Sequence, residues 1–198
     1  IAGFAAAFAE GGITGLKRFS SRVLSVVSAL PYLLAAMLLP LVLGLSYLLA
    51  QNVPLYSMPW TPVAILGLSL IAALVTGPIA EEFGWRGYLQ YRLLNNFAPF
   101  WTALFLGLIW WIWHFVLYRD SVFASPVLAL NFLVFLSTWS IFMVFFVERA
   151  GGSVWPAVVL HWAANTHPNV LQALLPAVDG SILPGGAKGA VFYLATAG

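Results

Sequence analysis

Cysteine is absent from this 198-residue chain, which excludes disulfides, thiol nucleophiles and thiolate metal ligands. Charge is nearly absent as well. Eight Lys or Arg and six Asp or Glu make up 7% of the residues, where a soluble domain carries about 25%. So few charges cannot coat a globule of 21.5 kDa, and a water-soluble enzyme is excluded. The net charge of +2 includes no basic run suited to nucleic acid. No internal repeat, low-complexity linker or signal peptide is recognisable, which favours one integral membrane domain over residues 1–198 and disfavours an inverted-repeat transporter.

What fills the chain instead is apolar sequence, 62% of residues, in long unbroken runs. Barrel strands would alternate apolar and polar positions. Unbroken runs read as helices, which satisfy their own backbone in lipid. The expected fold is therefore all-α, a polytopic helical membrane protein solvated by the lipid bilayer. Spans are expected over 23–51, 60–80, 100–118, 127–147 and 155–175. Turns or loops separate them at 51–59, 95–99, 119–126 and 148–152. Ile1–Ala9 and Ala190–Gly198 read as partial spans at incomplete ends, so about five complete crossings become six or seven. Lys17, Arg18, Arg22, Arg92 and Arg149 fall on one side, against Arg119 and Lys188 on the other. That bias places the turns at 95–99 and 148–152 in the cytoplasm.

Ionisable groups inside spans are costly and usually mark function. Here they are Glu81, Glu82, Arg86, His114 and His161. Glu82 and Arg86 stand i,i+4 with the acid first, the favourable order for an ion pair. Glu81 lies about 100° round the helix from Glu82 and has no partner on its own helix. The helices on either side of the 95–99 turn form a hairpin. Equal spacing from its centre puts Glu81 and His114 at one level, roughly 24 Å along each helix. His161 and Asn165 share one helical face, as do Trp110 and His114. The fifth span is expected to bring His161 and Asn165 to the Glu81–His114 level. Gly77, Ala80, Gly84 and Gly87 make a small-residue stripe open to a close helix neighbour. His167, followed by Pro168, reads as a helix-break or lining residue.

These residues resemble a known family. Glu81–Glu82–x–x–x–Arg86, then Trp110–x–x–x–His114, then His161–x–x–x–Asn165 are similar to the three motifs of the CPBP family. These are CAAX-prenyl-protease and bacteriocin-processing (Abi) intramembrane proteases, similar to the Ras-converting endoprotease. The run Glu-Glu-Phe-Gly-Trp-Arg-Gly-Tyr-Leu is close to the bacterial form of the first motif, and the resemblance covers about residues 75–168. The second motif commonly begins with Phe, where this chain has Trp110. The resemblance implies that Glu81 activates water, that His114 assists, and that His161 and Asn165 stabilise the oxyanion. It gives Glu82, Arg86 and Trp110 supporting positions. The family is often called metalloproteases, and a glutamate-activated water without a metal has also been argued for it.

Elimination agrees with that chemistry. Asp120 and Asp179, the only aspartates, lie in expected loops, and neither a Gly-x-Ser-x-Gly elbow nor His-Glu-x-x-His is present. What remains is water activated by Glu81, directly or on a divalent metal such as zinc held by Glu81, His114 and His161. The expected partner is a membrane-associated peptide or protein substrate. Two other readings stay open: an accessory subunit of a membrane complex or immunity-type protein of the same fold, and a proton-coupled transporter using the same residues as a relay.

Overall fold

The structure is a computed structural model that describes residues 2–26, 29–38 and 70–174, with side chains as far as Thr166. The expected spans over 23–51 and 60–80 lie in part outside these residues, at 27–28, 39–51 and 60–69. The loop at 51–59, Asp179, Lys188, the apolar piece 190–198 and the side chain of His167 lie outside them altogether.

Every described element is helical. α1 spans Ala2–Val23 and α2 covers 30–38. α3 runs over 70–93, α4 over Pro99–Tyr118, α5 over Pro126–Arg149 and α6 over Trp155–Leu174. Among the described residues, α4 and α5 are long and apolar enough to cross a membrane. Their outward faces carry Val116 (83% exposed), Leu117 (69%) and Val127 (66%). Such a surface is stable in lipid and would aggregate in water. α6 matches the expected fifth span in its bounds but not in hydropathy, because His161, Asn165 and Thr166 interrupt it.

Proline and serine set where these helices begin. Ala98 is extended and Pro99 takes the first helical position, where its missing N–H costs nothing. Pro126 does the same for α5, and the Ser125 hydroxyl accepts from the Leu128 amide at 3.5 Å. α5 ends in a glycine turn. The Gly152 amide donates to the Val147 carbonyl at 2.9 Å and the Gly151 amide to Glu148 at 3.1 Å. Gly151 and Gly152 have φ of 65° and 86°, the pattern of a Schellman cap.

α1 departs from its expected form, a partial span. Gly12 sits at φ 56°, ψ −144°, a conformation that essentially only glycine adopts. The helix folds back there. Phe4 and Phe19, fifteen positions apart, bring their ring centroids to 4.9 Å, whereas a straight helix would separate them by roughly 22 Å. Each arm is too short to span a bilayer. This hairpin packs on α3, where Phe19 and Val23 join Phe83, Val154 and Val158 in one core cluster.

Arg22 ties the same end of the molecule together. It donates to the Gly87 carbonyl at 2.6 Å, lies 3.9 Å from the Tyr91 ring centroid, and crosses directly over Gly152. Burial lowers its pKa from the ordinary arginine value, and Tyr91 and Glu148 act in the opposite sense. Glu10, at the tip of the hairpin, contacts both Arg92 and Tyr88.

A Cβ at Gly152 would fall 2.6 Å from Arg22 Cδ, on a residue whose φ already disfavours a side chain. Gly152→Ala is therefore expected to cost about 1–3 kcal/mol. Gly11 has open space around it, so Gly11→Ala should leave stability unchanged or slightly raised. Thermal unfolding in detergent checks both; equal losses at the two sites would contradict the Arg22 contact.

Candidate active site

The helix that carries both glutamates is not uniform. Val75–Ile79 and Trp85–Gln90 are π-helical, and the short α segment Ala80–Gly84 lies between them. Pro78 explains the first wide turn, since it has no N–H to donate and its ring crowds the preceding carbonyl. The second leaves the Gly87 carbonyl open to Arg22. Such turns inside α-helices are rare and concentrate at functional sites.

They also split the glycine stripe. Gly87 meets Val23 and Phe19 of α1, Gly77 meets the Asn165 side chain of α6, and Gly84 faces open space. A stripe expected to serve one neighbouring helix thus serves two, because each wide turn shifts the helical phase.

The expected ion pair is present. Arg86 Nη1 donates to Glu82 Oε1 at 3.1 Å and lies 2.9 Å from Oε2, with both side chains fully buried. Two further contacts complete it. His161 Nδ1 is 2.7 Å from Glu82 Oε1, and Arg86 Nη2 donates to Ser140 Oγ at 3.3 Å. Residues of α3, α5 and α6 thereby join in one buried chain. α4 adds Trp110, whose ring lies 4.9 Å from the Arg86 guanidinium and 4.8 Å from the His161 ring.

His161 reaches the level of the glutamates, but its partner is Glu82 and not Glu81. Glu82, the residue after Glu81, is fully buried in α3. Glu81 is half-buried, and its Oε2 is buried with no hydrogen-bond partner.

His114 is half-buried on α4, within electrostatic reach of both Glu81 and His161. Its Nδ1 is 2.8 Å from the Trp110 carbonyl, and its ring stacks on Tyr118. Asn165 is exposed one turn beyond His161, beside Gly77.

Both imidazoles have their Nδ1 against groups that only accept, a carboxylate and a carbonyl. Nδ1 therefore carries the proton in each, and Nε2 is the free atom. As a neutral ring each presents an acceptor there; His161 presents a donor at Nε2 only as an imidazolium. Two such nitrogens and a carboxylate are chemically apt metal ligands. Among the described residues, however, no three His, Asp or Glu side chains stand close enough to hold an ion. The arrangement does not fit the metal, and no step is assigned to one.

Ser140 was missed from sequence. Its signal was a hydroxyl inside an otherwise apolar span, where a polar group needs an interhelical partner.

Comparison with known proteins gives one family. The model described as Type II CAAX prenyl endopeptidase Rce1-like matches residues 60–167, over half of the chain and the whole of the three motifs. No curated protein and no solved structure matches.

The two adjacent carboxylates should respond differently to the same change. Glu82→Gln leaves Arg86 buried without its counter-charge, a class of change that costs about 3–5 kcal/mol. Glu81→Gln removes a carboxylate with no ion-pair partner and should leave stability within about 1 kcal/mol of the parent. Unfolding in mixed detergent micelles compares them, and a larger loss for Glu81→Gln would reverse the assignment.

Proposed function

The chain belongs to the Rce1-like family of type II CAAX prenyl endopeptidases, and on that premise we propose that it is an intramembrane peptidase whose base is Glu81. The reading extends to a multi-pass protein of a bacterial inner membrane. It acts on a membrane-associated peptide or protein whose scissile bond enters between α3, α4 and α6. The observation that carries the reading is the contrast between neighbours. Glu82 is held by Arg86 and His161, while Glu81 keeps a buried oxygen without a partner.

In this reading Glu81 takes one proton from water, and the water oxygen bonds to the carbonyl carbon. The carbonyl electron pair moves onto oxygen to give the tetrahedral oxyanion. His114 Nε2 accepts a hydrogen bond from the attacking water and orients it. His161, as the imidazolium fixed by Glu82, donates from Nε2 to the oxyanion, with Asn165 as second donor. The oxyanion then collapses and the C–N bond breaks. The amine leaves with the proton that Glu81 had taken. Donors fixed before the reaction act strongly in a water-poor site.

The probe is a prenylated peptide with a CAAX-type C-terminus and a fluorophore–quencher pair across the scissile bond, presented in micelles. Glu81→Gln should lower its turnover by about 10²–10⁴-fold, the range that general-base catalysis supplies, without loss of fold. Turnover equal to that of the parent would overturn the proposal.

A further inference from the structure

Hydrolysis generates an oxyanion, and the groups described so far supply few fixed donors for it. Glu81 is an acceptor. The free Nε2 of His114 is an acceptor, and that of His161 donates only while the ring is an imidazolium, because the Nδ1 protons point to the Trp110 carbonyl and to Glu82. Asn165 stands exposed, a turn away, beside Gly77. Two groups at this junction donate whatever the protonation of their neighbours: the Arg86 guanidinium, already committed to Glu82 and Ser140 and with its Nε buried without a partner, and the neutral Trp110 indole, which carries an N–H and no acceptor.

Trp110 is 2% exposed, and its Nε1 is buried with no hydrogen-bond partner. A buried indole N–H normally has a partner, and leaving one unsatisfied costs about 1–3 kcal/mol. Its ring lies 4.8 Å from that of His161 and 5.7 Å from that of His114, the two histidines of the site. The Arg86 guanidinium lies 4.9 Å from the indole centroid. A cation on the ring draws electron density from it and makes the N–H a stronger donor. Ser140 and Glu82 hold that guanidinium in place.

We infer that Trp110 Nε1–H donates a hydrogen bond to the substrate's carbonyl oxygen as it becomes the oxyanion. This inference rests on the proposed peptidase reading. The indole keeps its proton throughout and forms no covalent bond. It holds the negative oxygen until the electron pair returns and the amine departs.

Two replacements remove the donor while keeping an aromatic ring: Trp110→Phe, and incorporation at position 110 of benzothienylalanine, in which sulfur replaces the N–H at nearly constant shape. With the quenched prenyl peptide, both should lower kcat by about 10- to 100-fold with KM within about twofold of the parent. The second measurement does not use turnover. In protein labelled with ¹⁵N-tryptophan, a phosphinate analogue of the peptide, whose tetrahedral P–O⁻ stands in for the oxyanion, should move the Trp110 indole proton downfield; the cleaved product should not. Unchanged kcat in the benzothienylalanine protein overturns the inference, as does an indole signal that the phosphinate leaves in place. Glu81→Gln run alongside separates the two claims. Full activity there defeats the peptidase mechanism, whereas its inactivity together with an unmoved indole defeats the Trp110 assignment alone.

Discussion

The neutralisation of Glu82 is the constraint on which the rest of the site depends. A carboxylate and a guanidinium removed from water each carry several kcal/mol of lost hydration, recovered only when geometry and additional hydrogen bonds are good. Here Arg86 meets Glu82 within its own helix, Ser140 takes a second guanidinium donor, and His161 takes the carboxylate from another helix. The second and third contacts each cross to another element, so the chain of charges also fixes how α3, α5 and α6 meet. Its consequence for the proposed function is indirect: with Glu82 committed to structure, its neighbour Glu81 is the carboxylate that the proposal uses as base.

Backbone geometry makes that division possible. Two adjacent residues on a regular helix point about 100° apart. The π turns on either side of Ala80–Gly84 then set the flanking turns out of phase with that segment. Gly77 accordingly receives α6, and Gly87 receives α1. The α1 hairpin, bent at Gly12 and fastened by Arg22 and Glu10, braces the outer side of α3. Its arms are too short to cross a bilayer, and it packs against the helix that carries both glutamates.

Local chemistry was legible in the sequence, and long-range partner choice was not. The spans expected from 100 and 127 begin one residue earlier, at Pro99 and Pro126, where proline suits a first helical position, and the turn expected at 148–152 is present, with Gly151 and Gly152 at positive φ. The Glu82–Arg86 pair follows from i,i+4 spacing and is present. The match of the family model over 60–167 agrees with the motifs at 81–86, 110–114 and 161–165. What a constant helical period could not reveal was the pair of π turns, because a single slipped hydrogen bond changes the phase without changing composition. Pro78 next to Gly77 was the available signal. The α1 fold-back rests on one positive-φ glycine in a segment that otherwise reads as continuous. Choosing which of two neighbouring carboxylates meets His161 needs the packing of three helices, and residue spacing alone carries no such information.

The most direct test of this account is a pair of double-mutant cycles for unfolding stability, one joining Glu82 to His161 and one joining Glu81 to His161. Contacting residues couple by about 0.5–3 kcal/mol, and independent ones add within about 0.5. The account predicts coupling of that size between 82 and 161 and none resolved between 81 and 161. Coupling confined to the Glu81–His161 cycle would contradict it.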